Sequence, residues 1–171
     1  MRVILYANVS ANGRVLLSEN QRHQVPAAVI EASADDIRKA KNLIMGRKSF
    51  ENFERAFGGL EPLQAAFPEV VFVWFSRTAQ QAPGRLMAST PEEAIAQLKA
   101  RGHNDVIVGG GPETYQAFLD SGLITDVVLN VVPVVAPGGD LGAGGELDIP
   151  LILVGQRLLT EHVVQLHYRK A

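Results

Sequence analysis

Short, nearly continuous apolar blocks alternate along this chain with longer stretches in which apolar residues recur at helical spacing. The blocks Arg2 to Ala7, Leu43-Ile44-Met45, Val70 to Phe75, Asp105 to Val108 and Asp126 to Val132 suit strands, most of them covered on both faces. Between them the spacing turns helical. Ser33 with Asp36 three residues on has the form of a capping box, after which Ile37 and Ala40 share one face and Arg38, Lys39 and Lys41 face solvent. Arg47 to Phe57 carries Phe50, Phe53 and Phe57 on one side as a core stripe, and Gly58-Gly59 stops the helix. Thr90-Pro91-Glu92-Glu93 supplies a cap, a first-position proline and a capping carboxylate for a helix with Ala94, Ile95 and Leu98 inward, closed by Gly102. Pro112 opens another, with Tyr115, Phe118 and Leu119 on one side, ending at Gly122.

Alternation of strands and helices predicts an α/β fold with a mixed, mostly parallel sheet flanked by helices. The pattern loosens in two places. Ser18 to Ala32 reads as a long connection, and the residues from Ala136 to Gly145 include five glycines and a proline, as in a functional loop. Leu158 to Tyr168 then alternates as a C-terminal antiparallel strand. No repeat or linker divides the 171 residues, which are expected to form one domain.

Composition narrows the function. A net charge of −2 argues against nucleic acid or an anionic membrane as main partner, and the lack of cysteine excludes disulfides and thiolate chemistry. The four histidines are scattered; the close pair, His162 and His167, reads as lying on opposite faces of one strand, so no metal is expected. The apolar run at the start is too short for a signal-peptide core or a membrane span, and a cytoplasmic protein is the simplest inference.

The strand ends carry the candidate chemistry. Gly109-Gly110-Gly111 follows a strand and precedes Pro112-Glu113-Thr114, a layout that lets backbone approach a phosphate at a helix start. Gly46-Arg47-Lys48-Ser49 repeats that logic with two cations and a hydroxyl, and Ser76-Arg77-Thr78 offers a third such edge. Ligands of open α/β sheets bind at the carboxyl ends of the strands, where all three turns would meet. The spacing is not the ordinary dinucleotide fingerprint, since Thr114 stands where its last glycine would be. Basic residues in place of a ribose-binding acid favour a 2′-phosphate, hence NADPH over NADH.

These motifs bring a family resemblance into view. Leu43 to Phe50 resembles the strand-turn-helix of dihydrofolate reductases, Val71 to Arg77 their 2′-phosphate strand and turn, and Val106 to Gly111 their Gly-Gly turn. Ser10-Ala11-Asn12-Gly13-Arg14 is similar to the Ser-x-Asp-Gly-Arg segment in the reductase half of the bifunctional deaminase-reductase of riboflavin biosynthesis. Gly122 to Asp126 followed by Pro133, and Leu158 to Arg169, also resemble that reductase. The zinc-binding residues of its deaminase half have no counterpart here.

The resemblance implies a dihydrofolate reductase-like fold binding NADPH through Gly13, the three turns and their flanking residues. Hydride would pass to a pterin-like or ribosylaminopyrimidine substrate. Ala7 would lie by the nicotinamide, Asn8 and Phe50 would contact substrate, and Val9 to Ser18 would form a lid. The family's buried carboxylate maps to the region of Asp36, with Asp35 and Glu31 as rivals, and makes Asp36 the candidate proton donor and a substrate ligand. The Trp-Pro pair that precedes that helix in the family is missing, and Asn12 replaces the usual aspartate. Three readings stay open: a riboflavin-type reductase, a dihydrofolate reductase, and a non-catalytic nucleotide-binding module. Pairing of the terminal strands into a homodimer is a further implication of the resemblance.

Overall fold

The computed structural model describes residues 1–16, 25–78, 86–142 and 148–171. In chain order the elements are β1 (Arg2–Ser10), α1 (Ala27–Ala40), β2 (Asn42–Gly46), α2 (Arg47–Ala56), α3 (Leu60–Ala66), β3 (Val71–Phe75), β4 (Leu86–Ala88), α4 (Pro91–Ala100), β5 (Asp105–Gly109), α5 (Pro112–Asp120), β6 (Asp126–Val132), β7 (Leu151–Leu158) and β8 (Val164–Lys170). The strands form one sheet in the order β4-β3-β2-β5-β1-β6-β8-β7. Its first six members are parallel, and β8 and β7 run antiparallel to their neighbours.

Strict alternation along the central strands sends side chains to two cores. Val3, Leu5, Ala7 and Val9 of β1 join Ile44, Val73, Val106 and Val108 on the face covered by α4 and α5. Tyr6, Leu43 and Ile107 point to the opposite face, beneath Ile37 and Ala40 of α1. Farther along that face α2 and α3 bury Phe50, Leu63, Phe67 and Trp74 together. The aromatic stripe is core, with the Phe50 ring edge-on to both Phe72 and Trp74 at 5.5 Å.

Four elements differ from the sequence reading. Ser33 and Asp36 do not cap a helix, because α1 starts six residues earlier, at Ala27. Pro26 lacks the N–H that a helix start would leave unpaired anyway, and its carbonyl accepts from Val29 and Ile30. Ser33 sits mid-helix with its hydroxyl bonded back to the Val29 carbonyl. Short α3 and three-residue β4 went unpredicted. Leu158 to Tyr168 is not one strand but the end of β7, a turn and most of β8. Thr160 Oγ1 accepts from the His162 and Val163 amides in that turn, so His162 is not a strand partner of His167.

Candidate functional site

Register places the carboxyl ends of β3, β2, β5 and β1 side by side. Gly46 pairs with Phe75, Ile44 with Val108, and Gly109 with Tyr6. The three turns read from the sequence therefore meet. One cleft of about 370 Å³ is lined by Gly46 to Ser49, Phe75 to Thr78 and Gly111 to Thr114.

The glycines have separate reasons to be there. Gly110 (φ +84°) and Gly111 (φ +73°) adopt left-handed backbone, which any side chain would strain. Gly46 is there for close approach, since a Cβ on it would lie 2.5 Å from Thr114 Oγ1. Ser49 in turn lies against Gly110, 3.0 Å from where its Cβ would be. Two turns of the cleft are thus packed directly on each other.

Tyr115, which the sequence offered only as a core residue, holds this assembly to β1. Its buried hydroxyl accepts from the Gly110 amide at 2.9 Å and donates to the Tyr6 carbonyl at 2.8 Å. Burial pushes its pKa up to about 12, the Gly110 amide opposing weakly, so the hydroxyl keeps its proton.

Charge in the cleft is uneven. Arg47 pairs with Glu51 at 2.9 Å one turn along α2, whereas Lys48 and Arg77 are exposed and meet no carboxylate among the described residues. Glu113 is exposed in the first turn of α5, and Thr114 is buried beside Gly46. Left-handed glycines without Cβ, the starts of α2 and α5, and the exposed cations Lys48 and Arg77 fit a polyphosphate-bearing cofactor.

Asn8 and Asp36 belong to a second polar group on the α1 side of β1. Asp36 Oδ2 accepts from Tyr6 Oη at 3.2 Å and from Arg157 Nη2 at 2.9 Å, while Oδ1 lies 3.5 Å from Lys39 Nζ. Gln165 and the fully buried Asn130 connect this carboxylate to Asn8. Tyr6 Oη, its pKa raised chiefly by burial, sits between them. Asp36 is thus a carboxylate held by two cations and a hydroxyl, with Asp35 facing outward to Arg38. Asn130, Gln165 and Arg157 escaped the sequence reading. Asn130 alone left a signal, an amide inside the apolar run Val-Val-Leu-Asn-Val-Val, where a buried polar group requires partners.

The remaining candidates fall elsewhere. Phe50 is only 2% exposed, buried in its aromatic cluster. The Ala7 side chain is buried in the core, leaving its backbone for any ligand. Gly13 (φ +77°) turns the chain after β1, where Asn12 clamps the Gly-rich loop by donating to the Ala136 carbonyl and accepting from its amide. Arg14 forms an ion pair with Asp140 of the same loop. Residues 17 and 18 of the expected lid, and 143–145 of the Gly-rich loop, lie outside the described residues.

Residues 2–149 match the model of the RibD C-terminal domain. The chain belongs to the RibD C-terminal domain family. No curated protein sequence matches it. Solved structures similar to it include a pyrimidine reductase-like protein from Corynebacterium diphtheriae, with 14% identity, TM-score 0.72, and coverage of 99% of this chain and 92% of that one. The deaminase/5-amino-6-(5-phosphoribosylamino)uracil reductase of Thermotoga maritima has 14% identity and TM-score 0.71; 99% of this chain covers 56% of it. Dihydrofolate reductase from Enterococcus faecalis, solved with NADP(H), also has 14% identity and TM-score 0.71, with coverages of 99% and 96%. The chain thus spans about half of the bifunctional T. maritima protein and nearly all of the smaller ones. The fold is that of dihydrofolate reductase, as the sequence motifs implied, with two C-terminal antiparallel strands instead of the single one expected. The RibD C-terminal match stops before β7, so the hairpin that supplies Arg157 and Gln165 lies beyond it.

Proposed function

We propose that this RibD C-terminal domain protein is an NADPH-dependent reductase. It transfers hydride to a ribosylaminopyrimidine substrate of the kind named for the T. maritima neighbour, or to a pterin-like one. The carrying observation is the convergence of three strand-end turns on one cleft with two cations that meet no carboxylate among the described residues. NADPH supplies the hydride. Arg77 and Lys48 neutralise its phosphates, and Gly110 and Gly111 let backbone approach them. Ser49, Ser76 and Thr114 give hydroxyls along the same cleft, and the helix starts at Arg47 and Pro112 add orphan amides. The backbone of Ala7 and the side chain of Asn8 then border the ring end of the cofactor and the substrate.

Asp36 anchors the polar group that backs Asn8 through its contacts with Arg157, Lys39 and Tyr6, and remains the candidate proton donor. The reading also carries a cytoplasmic location and a homodimer built on β7, an edge strand whose eight residues are all exposed.

Titration with NADPH and NADH tests the cofactor. Arg77→Ala is expected to weaken NADPH by about tenfold or more while NADH changes little, and equal losses would remove the 2′-phosphate assignment. NADPH oxidation with the phosphoribosylamino-uracil and with dihydrofolate then decides the substrate. Tight NADPH binding without turnover of either leaves a nucleotide-binding module.

A further inference from the structure

Four side chains between the hairpin and the end of β1 hydrogen-bond in series with one polarity. Arg157 Nε donates to Gln165 Oε1 at 2.7 Å. Gln165 Nε2 donates to Asn130 Oδ1 at 2.9 Å, and Asn130 Nδ2 donates to Asn8 Oδ1 at 2.8 Å. A carboxamide can be turned end for end, so its orientation must be fixed by its neighbours. Here the first member settles it, because a guanidinium can only donate. Gln165 must therefore meet Arg157 with oxygen, and each later amide follows in turn.

The side bonds agree with this direction. Gln165 Nε2 and Asn130 Nδ2 also reach Tyr6 Oη, at 2.8 and 3.3 Å, and Tyr6 spends its own proton on Asp36. Reversing Gln165 or Asn130 would set oxygen against oxygen, and reversing Asn8 would set its N–H₂ against that of Asn130. Asn8 closes the series with its oxygen turned inward, and its Nδ2 has no partner among the described residues.

We propose that Arg157, Gln165 and Asn130 are positioning residues that lock the Asn8 carboxamide with its N–H₂ outward. The end of β1 is thereby a hydrogen-bond donor that selects a carbonyl oxygen on the ligand. That oxygen belongs either to a pyrimidinedione-type substrate ring or to the carboxamide of the nicotinamide. The orientation stands on the geometry alone, and the identity of the ligand rests on the reductase reading above.

Gln165→Glu reverses the series without touching the ligand. A glutamate accepts from Arg157 and also from Asn130, so Asn130 turns its oxygen to Asn8, and Asn8 turns its N–H₂ inward. Hydrogen exchange of the side-chain amide protons, followed by NMR on the ligand-free protein, reads this directly. In the parent protein the Asn130 and Gln165 protons are expected to exchange slowly and those of Asn8 fast; in Gln165→Glu the Asn8 protons become slow. Unchanged Asn8 exchange overturns the proposal, whatever the protein binds.

Ligand measurements then name the oxygen. Gln165→Glu raises the KM for the phosphoribosylamino-uracil by about tenfold at unchanged NADPH affinity if the substrate is read, and weakens NADPH by a similar factor if the nicotinamide is read. No change in either overturns the selection. Asn8→Asp, on a half-exposed residue that keeps the series intact, presents only acceptors outward and guards against a misfolded Gln165→Glu. It must be more damaging than Asn8→Ala, since it sets lone pair against lone pair; equal or smaller damage overturns the proposal.

Discussion

The Tyr115 hydroxyl joins three parts of the site, the glycine turn, β1 and the start of α5, so its removal tests how the cleft is held. In Tyr115→Phe the Gly110 amide and the Tyr6 carbonyl lose their shared partner, which is expected to cost about 1–3 kcal/mol in denaturant unfolding. The same residue sets a limit at alkaline pH. Its folded pKa is pushed up to about 12, while an unfolded tyrosine titrates near ~10. The stabilisation is therefore complete below pH ~10 and is lost as pH rises toward 12, by roughly 2–3 kcal/mol. Unfolding curves at pH 9 and 12 should show that loss in the parent and a smaller one in Tyr115→Phe. Asn12 is explained at this scale too. An aspartate accepts the Ala136 amide equally well but cannot donate to the Ala136 carbonyl, so Asn12→Asp is expected to lower stability by about 1–2 kcal/mol in thermal melts.

Between elements, the sharpest constraint is the contact of the Gly46 turn with α5. Gly46→Ala places a methyl group 2.5 Å from Thr114 Oγ1, and either α2 or α5 must shift. Removing that oxygen opens the space. Gly46→Ala is expected to weaken NADPH by about tenfold, and Gly46→Ala with Thr114→Ala to recover much of it, beyond the sum of the single effects. An additive pair of losses would mean that the two turns are not coupled. This contact also marks what the sequence could and could not convey. Strand-glycine-helix patterns at 46 and 109–111 were legible because glycine stands where the backbone turns left-handed, as at 110 and 111, or is closely approached, as at 46, and the central strands were legible because burial on both faces makes them continuously apolar. The start of α1 was not, since Pro26 caps through what it lacks and the Ser33-Asp36 spacing imitates a cap in mid-helix. Nor was the break between β7 and β8, whose turn Thr160-Glu161-His162 contains neither glycine nor proline to mark it. The network from Asn8 to Arg157 joins residues more than a hundred positions apart, and only the pairing of β1, β6, β8 and β7 makes them neighbours.

The sheet of the whole molecule ends differently on its two sides. β4 is three residues long, and so short an edge offers little to another strand. β7 is eight residues long with its outer edge unpaired among the described residues, and Leu151, Ile152, Leu153 and Val154 are 41–55% exposed, on both faces of the sheet. Long apolar edges invite unlimited pairing unless a defined partner covers them, and for a single chain type a two-fold symmetric contact is the closed solution. The proposed homodimer would meet that need, because β7 against β7 would continue the sheet with each apolar face beside its equal. Light scattering at micromolar concentration is expected to give twice the 18.5 kDa of the chain. Leu153→Lys, which places on this edge the charge that solvated edge strands commonly carry, should return the mass to that of one chain. Its NADPH affinity should stay near the parent value, since the cleft at the ends of β3, β2 and β5 lies on the other half of the sheet. A parent protein that already sediments as a single chain would rule out the dimer, and the apolar edge would then require a different partner.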